Sequence, residues 1–157
     1  MNEKFMKRAI ELSFESVKSQ GGPFGACVVG PDNKIIGEGM NRVVVDKSPI
    51  LHAEVVAINE ACKKLNSFDL SKASIYSSCQ PCVMCLGAIY WSRISKIYYT
   101  NTKDDAAKID FDDSFFDTEL KKNINERKIP MIQIKELKSE ALKAFELWDK
   151  KIDKVKY

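Results

Sequence analysis

The chain reads as an α/β layered domain, a mixed sheet of five strands flanked by helices, and three observations predict it. Helix-period apolar stripes open and close the chain, two strand-like runs near the start are joined by hairpin-turn chemistry, and later short apolar runs alternate with helical segments. Residues 4–18 place Phe5, Met6, Ala9, Ile10, Ser13 and Val17 on one stripe that stops before Gly21-Gly22-Pro23. Residues 24–29 and 34–40 are the hairpin strands, and Gly30-Pro31-Asp32-Asn33 is their turn. A loop follows over residues 43–49. Residues 51–65 return to helical spacing, with Val55, Ile58, Cys62 and Leu65 as the expected buried seam. Residues 73–77 form a strand, 82–91 a helix and 96–100 a strand. The stretch 102–128 is polar and partly helical, interrupted by Phe111-Asp112-Asp113-Ser114-Phe115-Phe116. Residues 131–134 are the fifth strand, and the gap before it is long enough for a helical crossover, so the last two strands are expected to be parallel. A terminal helix over about 137–155 lines up Leu137, Ala141, Ala144, Trp148, Ile152 and Val155.

A length of 157 residues, with no repeat, low-complexity tract or Gly/Ser linker, fits one domain spanning residues 1–157. Hydrophobic residues at 45% and charged residues at 30% exclude disordered and fibrous classes. The formal charge is only +3, and residues 135–157 carry seven Lys against five Asp or Glu, so no nucleic-acid partner is expected. No apolar run approaches the roughly 18 residues of a membrane span, and residues 1–18 lack the apolar core of a signal peptide. Five cysteines, three of them within residues 79–85, point to metal or catalytic chemistry in a reducing, cytoplasmic setting, not to a disulfide framework. Cys27 and Cys62 fall within apolar patterns and read as small core residues. Histidine occurs once.

That histidine opens the strongest motif: His52-Ala53-Glu54, then Pro81-Cys82-Val83-Met84-Cys85. Cys82 and Cys85, three apart at a helix start, emerge on one face and can grip one ion. The positive helix N-terminus favours the thiolates that zinc requires, and Pro81 suits the position where a missing N–H costs nothing. Two thiolates and one imidazole leave a fourth position open, the layout of a catalytic zinc with one ion per chain. Glu54, near the ion without ligating it, can take a proton from the attacking water and return it to a leaving group. The competing reading is a closed Cys3His site in which Cys79 joins His52, Cys82 and Cys85, a structural zinc-binding interaction module without catalysis.

The pairing of HAE with PCxxC coincides with the zinc-deaminase signature, and the sequence resembles the cytidine deaminase superfamily and, within it, the bacterial guanine deaminases. The resemblance runs over nearly the whole chain, through Gly21-Gly22-Pro23-Phe24-Gly25-Ala26, Gly39-Met40-Asn41, HAEV at 52–55, PCVMCLGAIYW at 81–91, FDDSF at 111–115, Ile129-Pro130 and the final Lys156-Tyr157. It implies a three-layer cytidine deaminase-like fold, zinc on His52, Cys82 and Cys85, and proton transfer by Glu54. It further implies hydrolysis of guanine to xanthine and ammonia, with Asn41 and the Ala53 backbone N–H contacting the base, Phe24 as a stacking wall and Trp91 as a pocket limit. Asp113 would accept from the guanine edge, where N1–H and the 2-amino group are adjacent donors and a carboxylate is an acceptor-only fork. A C-terminal segment ending in Tyr157 would close over the pocket, exchanged between the subunits of a homodimer. Gln80 departs from the Glu usual before PC, a position with no part in zinc binding or proton transfer.

Read without the resemblance, Phe24 and Trp91 are core aromatics, Asn41 is a turn residue and Asp113 a solvated loop acid. The tRNA adenosine deaminases and the cytosine deaminases of this fold share the zinc motif. They differ after the fourth strand, where the former generally lack FDDSF and carry a more basic terminal helix.

Overall fold

Four strands form one mixed sheet in the computed structural model, which describes residues 2–157: β1 (Gly25–Val29), β2 (Ile35–Met40), β3 (Ser74–Cys79) and β4 (Lys96–Asn101) in the order β2-β1-β3-β4. The hairpin is as expected, with Gly25 opposite Met40 and Cys27 opposite Glu38. β1 is antiparallel to β3, whereas β3 and β4 run parallel, Ile75 beside Ile97. That parallel pair needs a crossover, and α3 (Val83–Trp91) supplies it.

All five residues of β1 are buried, so the sheet is covered on both faces. Ala26 and Val28 join Ile75, Ile89 and the small residues of α2 (Ala53–Leu65) on one side. Cys27 and Val29 join Phe5, Met6, Ala9 and Leu12 of α1 (Glu3–Lys18), with Tyr76, on the other. Arg8 of α1 crosses to β2 and clasps the Glu38 carboxylate twice, at 2.8 and 2.9 Å.

Both helix seams differ from expectation. On α1 the buried row includes Leu12 and Ser16, while Val17 is exposed. On α2 the buried row is Ala53, Glu54, Ala57, Ile58 and Ala61, and Leu65 is exposed. For α2 the cause lies in β2. A Cβ on Gly37 would collide with the carbonyl of Ala57, and one on Gly39 with the carbonyl of Ala53. Helix and strand backbones are therefore in direct contact, and only small residues fit the shared seam.

One compact unit runs to Phe115, and a second spans Phe116–Tyr157. The first holds the sheet, α1 to α3 and α4 (Lys103–Ala107); α5 (Ser114–Lys121) lies at the division. In the second, 3-10 turns at Ile124–Glu126 and Lys135–Leu137 lead to α6 (Lys138–Lys150), which ends earlier than its apolar periodicity predicts. The expected fifth strand at 131–134 is absent from the described residues, and so is the parallel pair expected there. Its side chains have strand-like composition, but Ile132 remains 79% exposed, and a strand needs a paired edge. Among the described residues, Glu119 is the single buried residue of this unit; it accepts from the Lys128 backbone N–H at 2.7 Å and pairs with Lys122.

The β2–α2 contact yields a test. Gly39→Ala should destabilise the protein by about 1–3 kcal/mol, the range for overpacking, lowering the denaturant midpoint. Zinc affinity should fall with it, because Ala53 sits between His52 and Glu54.

Candidate metal and active site

His52 and Cys82 occupy the N-cap positions of α2 and α3, with extended backbone, and neither side chain caps its own helix. Ser, Thr, Asp or Asn there would add about 1 kcal/mol of capping. Both side chains turn instead toward Cys85, one turn into α3. His52 Nδ1 lies 3.6 Å from Cys82 Sγ and 3.5 Å from Cys85 Sγ, and the two sulfurs are 3.6 Å apart. Tetrahedral zinc with Zn–S of about 2.3 Å and Zn–N of about 2.05 Å would set S···N edges near ~3.6 Å and an S···S edge near ~3.8 Å. The triad fits zinc as it stands. Cys85 beside it and His52 lower the Cys82 thiol to about 4, so this sulfur presents a thiolate. The Cys82 hydrogen bond raises His52 from its ordinary value.

Cys79 is not part of this cluster; its thiol faces the Thr102 carbonyl at 3.5 Å. The closed Cys3His alternative therefore loses its fourth ligand, and an open position remains.

Glu54 is buried beside the triad. Its Oε1 accepts from the Ser77 hydroxyl at 2.9 Å, and its Oε2 faces the Cys85 thiol at 3.4 Å. Burial raises the carboxyl above its ordinary range, which helps a proton carrier hold its proton between two transfers. Ser77 escaped sequence reasoning: an inward serine on a strand carries no motif, although it fixes the orientation of Glu54.

His52, Cys82 and Glu54 open into a cavity of about 460 Å³ in the first unit, with Cys85 buried behind them. Among the sequence-derived candidates, Phe24, Asn41, His52, Glu54, Cys82 and Asp113 line it. Phe24 and Phe111 meet edge to face, with centroids 5.0 Å apart. Asn41, in the lining, accepts at Oδ1 from the Val43 N–H at 3.2 Å. Asp113 Oδ2 stands 3.7 Å from Lys103 Nζ. Ala53 is fully buried at the start of α2, where first-turn N–H groups lack helical partners. Trp91, last residue of α3, is 69% exposed and outside the cavity lining. Tyr157 is 73% exposed and belongs to the second unit.

Helices on both faces of a mixed sheet, with a His-Cys-Cys triad at two helix starts and a buried glutamate beside it, define a zinc-dependent deaminase site. Residues 1–101 match the cytidine and deoxycytidylate deaminase zinc-binding region, and the chain belongs to that family. It is 45% identical over 157 residues to the guanine deaminase of Bacillus subtilis, covering 99% of each chain. The X-ray structure of guanine deaminase from that organism superposes with a TM-score of 0.94, covering 100% of this chain and 99% of the other at 45% identity. A guanine deaminase structure from Nitrosomonas europaea matches 71% of this chain and 65% of its own at 34% identity, TM-score 0.68. The tRNA-specific adenosine deaminase of Haemophilus influenzae is 36% identical over 98 residues, 62% of this chain and 57% of its own.

Cys82→Ala and Cys85→Ala should lose bound zinc in elemental analysis, while Cys79→Ala keeps about one ion per chain. Ser77→Ala should also keep zinc yet turn over roughly tenfold or more slowly, the consequence of losing a hydrogen bond to a charged group.

Proposed function

We propose that this chain hydrolyses guanine to xanthine and ammonia, a step of purine catabolism. The observation that carries the reading is the extent of the likeness. Similarity to the guanine deaminase continues through residues 102–157, whereas the tRNA-specific adenosine deaminase matches over 98 residues only. A neighbouring structure, 35% identical over 69% of this chain with a TM-score of 0.66, is a complex with 8-azaguanine.

Bound zinc supplies the Lewis acidity that activates water. Glu54 takes the proton from the water that adds to guanine C2. It then delivers that proton to the exocyclic nitrogen as the C2–N bond breaks and ammonia leaves. Ser77 holds one carboxylate oxygen while the other works. Asp113 accepts from N1–H and the 2-amino group, and the same carboxylate would face a lone pair in adenine, whose N1 is an acceptor. The Asn41 amide and the Ala53 backbone N–H donate to ring acceptors. Phe24 stacks on the base, braced by Phe111.

The whole chain acts as one deaminase domain, working as a homodimer with exchanged C-terminal segments. Two facts support this. The second unit displays Ile129, Ile132, Phe145, Leu147 and Ile152 with almost no buried interior of its own. β4 is an edge strand of a sheet one strand short of expectation. Exchange of an identical element is an accessible route to a two-fold dimer. Trp91 and Tyr157 then act as walls of the assembled pocket, which excludes guanosine and nucleic acid by size. Five free cysteines fit a reducing cytoplasm; among the described residues no helix is long and apolar enough to cross a membrane.

An ammonia-release panel over guanine, cytosine, adenine, guanosine and tRNA should show guanine as the preferred substrate. Glu54→Gln should keep zinc and lose on the order of 100-fold or more in rate. Asp113→Asn should lower kcat/KM for guanine by roughly 10–150-fold with zinc unchanged. Ammonia release from another base in preference to guanine would overturn the assignment.

Removing the last two residues, so that the chain ends at Val155, should leave the circular dichroism intact but relax the preference for guanine over guanosine. A dimer by sedimentation is expected before and after truncation.

A further inference from the structure

The cavity wall carries Glu54, Asp110, Asp112 and Asp113, against which Lys103 is the one lysine or arginine among the described residues. The backbone on which Lys103 stands is tied down. It is the first residue of α4, just after Thr102, whose hydroxyl accepts from the Asp105 N–H at 3.2 Å while its own N–H donates back to Asp105 Oδ2 at 3.1 Å. One residue earlier, the Asn101 carbonyl accepts from the Gln80 N–H at 2.8 Å, tying the end of β4 to the loop that carries Cys82. A cation in the first turn of a helix runs against the backbone dipole, so local helix stability does not call for lysine here. Its ammonium points instead toward Asp113, with Nζ 3.7 Å from Oδ2 and both side chains about three-quarters covered (26% and 22% exposed).

Ammonium and carboxylate side by side in a cavity wall form a donor next to an acceptor. Guanine offers the complement on one edge: N1–H is a donor, and the neighbouring O6 is an acceptor. Building on the guanine reading above, we propose that Lys103 is a specificity-determining residue that donates to O6 while Asp113 accepts from N1–H. The pair would then select 6-oxo purines as a unit. A 6-amino group in that place would turn its hydrogens toward the ammonium, an unpaired donor–donor contact in a covered site.

The test compares guanine with 6-thioguanine, which keeps N1–H and the 2-amino group but replaces O6 with sulfur, a weak acceptor. 6-Thioguanine is measured as a substrate or as a competitive inhibitor of guanine turnover. Lys103→Met should lower kcat/KM for guanine by roughly 10–100-fold, the scale of a charge-assisted hydrogen bond, and change 6-thioguanine by no more than about threefold. Lys103→Arg should retain most of the preference. Zinc content and circular dichroism should match the parent protein in both variants. Asp113→Asn should weaken both ligands together. An unaltered guanine kcat/KM in Lys103→Met would overturn the role of Lys103, as would an equal loss for guanine and 6-thioguanine. If Asp113→Asn is also without effect on either ligand, the failure lies in the substrate reading of this wall.

Discussion

The close approach of α2 to β2 is the constraint on which the site depends. With no side chain at Gly37 or Gly39, the helix settles with its Ala53 and Ala57 carbonyls against the strand, nearer than any Cβ would allow. Ala53 is the residue between His52 and Glu54, so this backbone contact sets the depth of both. From there the geometry propagates through short contacts: Glu54 to Ser77 on β3 and to Cys85 on α3, and Cys85 to His52. A helix held off by a layer of leucines would carry the same residues and miss these distances. The alanines of α2 therefore belong to the chemistry as much as to the core.

What was legible in the sequence follows the same division. Zinc tolerates few donor types, and helix starts impose fixed spacings, so His52, Cys82, Cys85 and Glu54 could be read directly. The hairpin declared itself by its turn. The buried face of α2 is only partly legible: Ile58 is buried and Cys62 packs on the core, but Leu65 is exposed, because the glycines across the interface favour alanines that apolar periodicity weighs too lightly. Ser77 and Lys103 gave no signal, since a serine in a strand and a lysine at a helix start are ordinary until the fold shows what they face. Residues 131–134 have the composition of a strand, but composition cannot provide the edge with which a strand pairs.

The two units contrast in how they are held together. The first has cores on both faces of its sheet. The second relies on most of α5, a 13-residue helix and two short 3-10 turns, and isolated helices of such lengths are marginal in water. Its stability must come from apolar surface supplied by something else. In the proposed exchanged dimer that surface is another copy, so completing the second unit and completing the pocket would be one event.

Two helix starts converge where His52 and Cys82 meet, and in both the first-turn N–H groups go without a capping side chain. The positive ends of α2 and α3 thus face one small volume. Thiolates offset part of this field, but a planar neutral base entering it feels little attraction. Once water has added and the ring takes on negative charge, the same oriented dipoles stabilise it without having to reorganise. By this arrangement the end of the cavity at His52 and Cys82 favours developing negative charge, while Asp110, Asp112 and Asp113 keep the rest of the wall acidic. A tetrahedral, charge-bearing mimic of the adduct should therefore be held far more tightly than any flat purine.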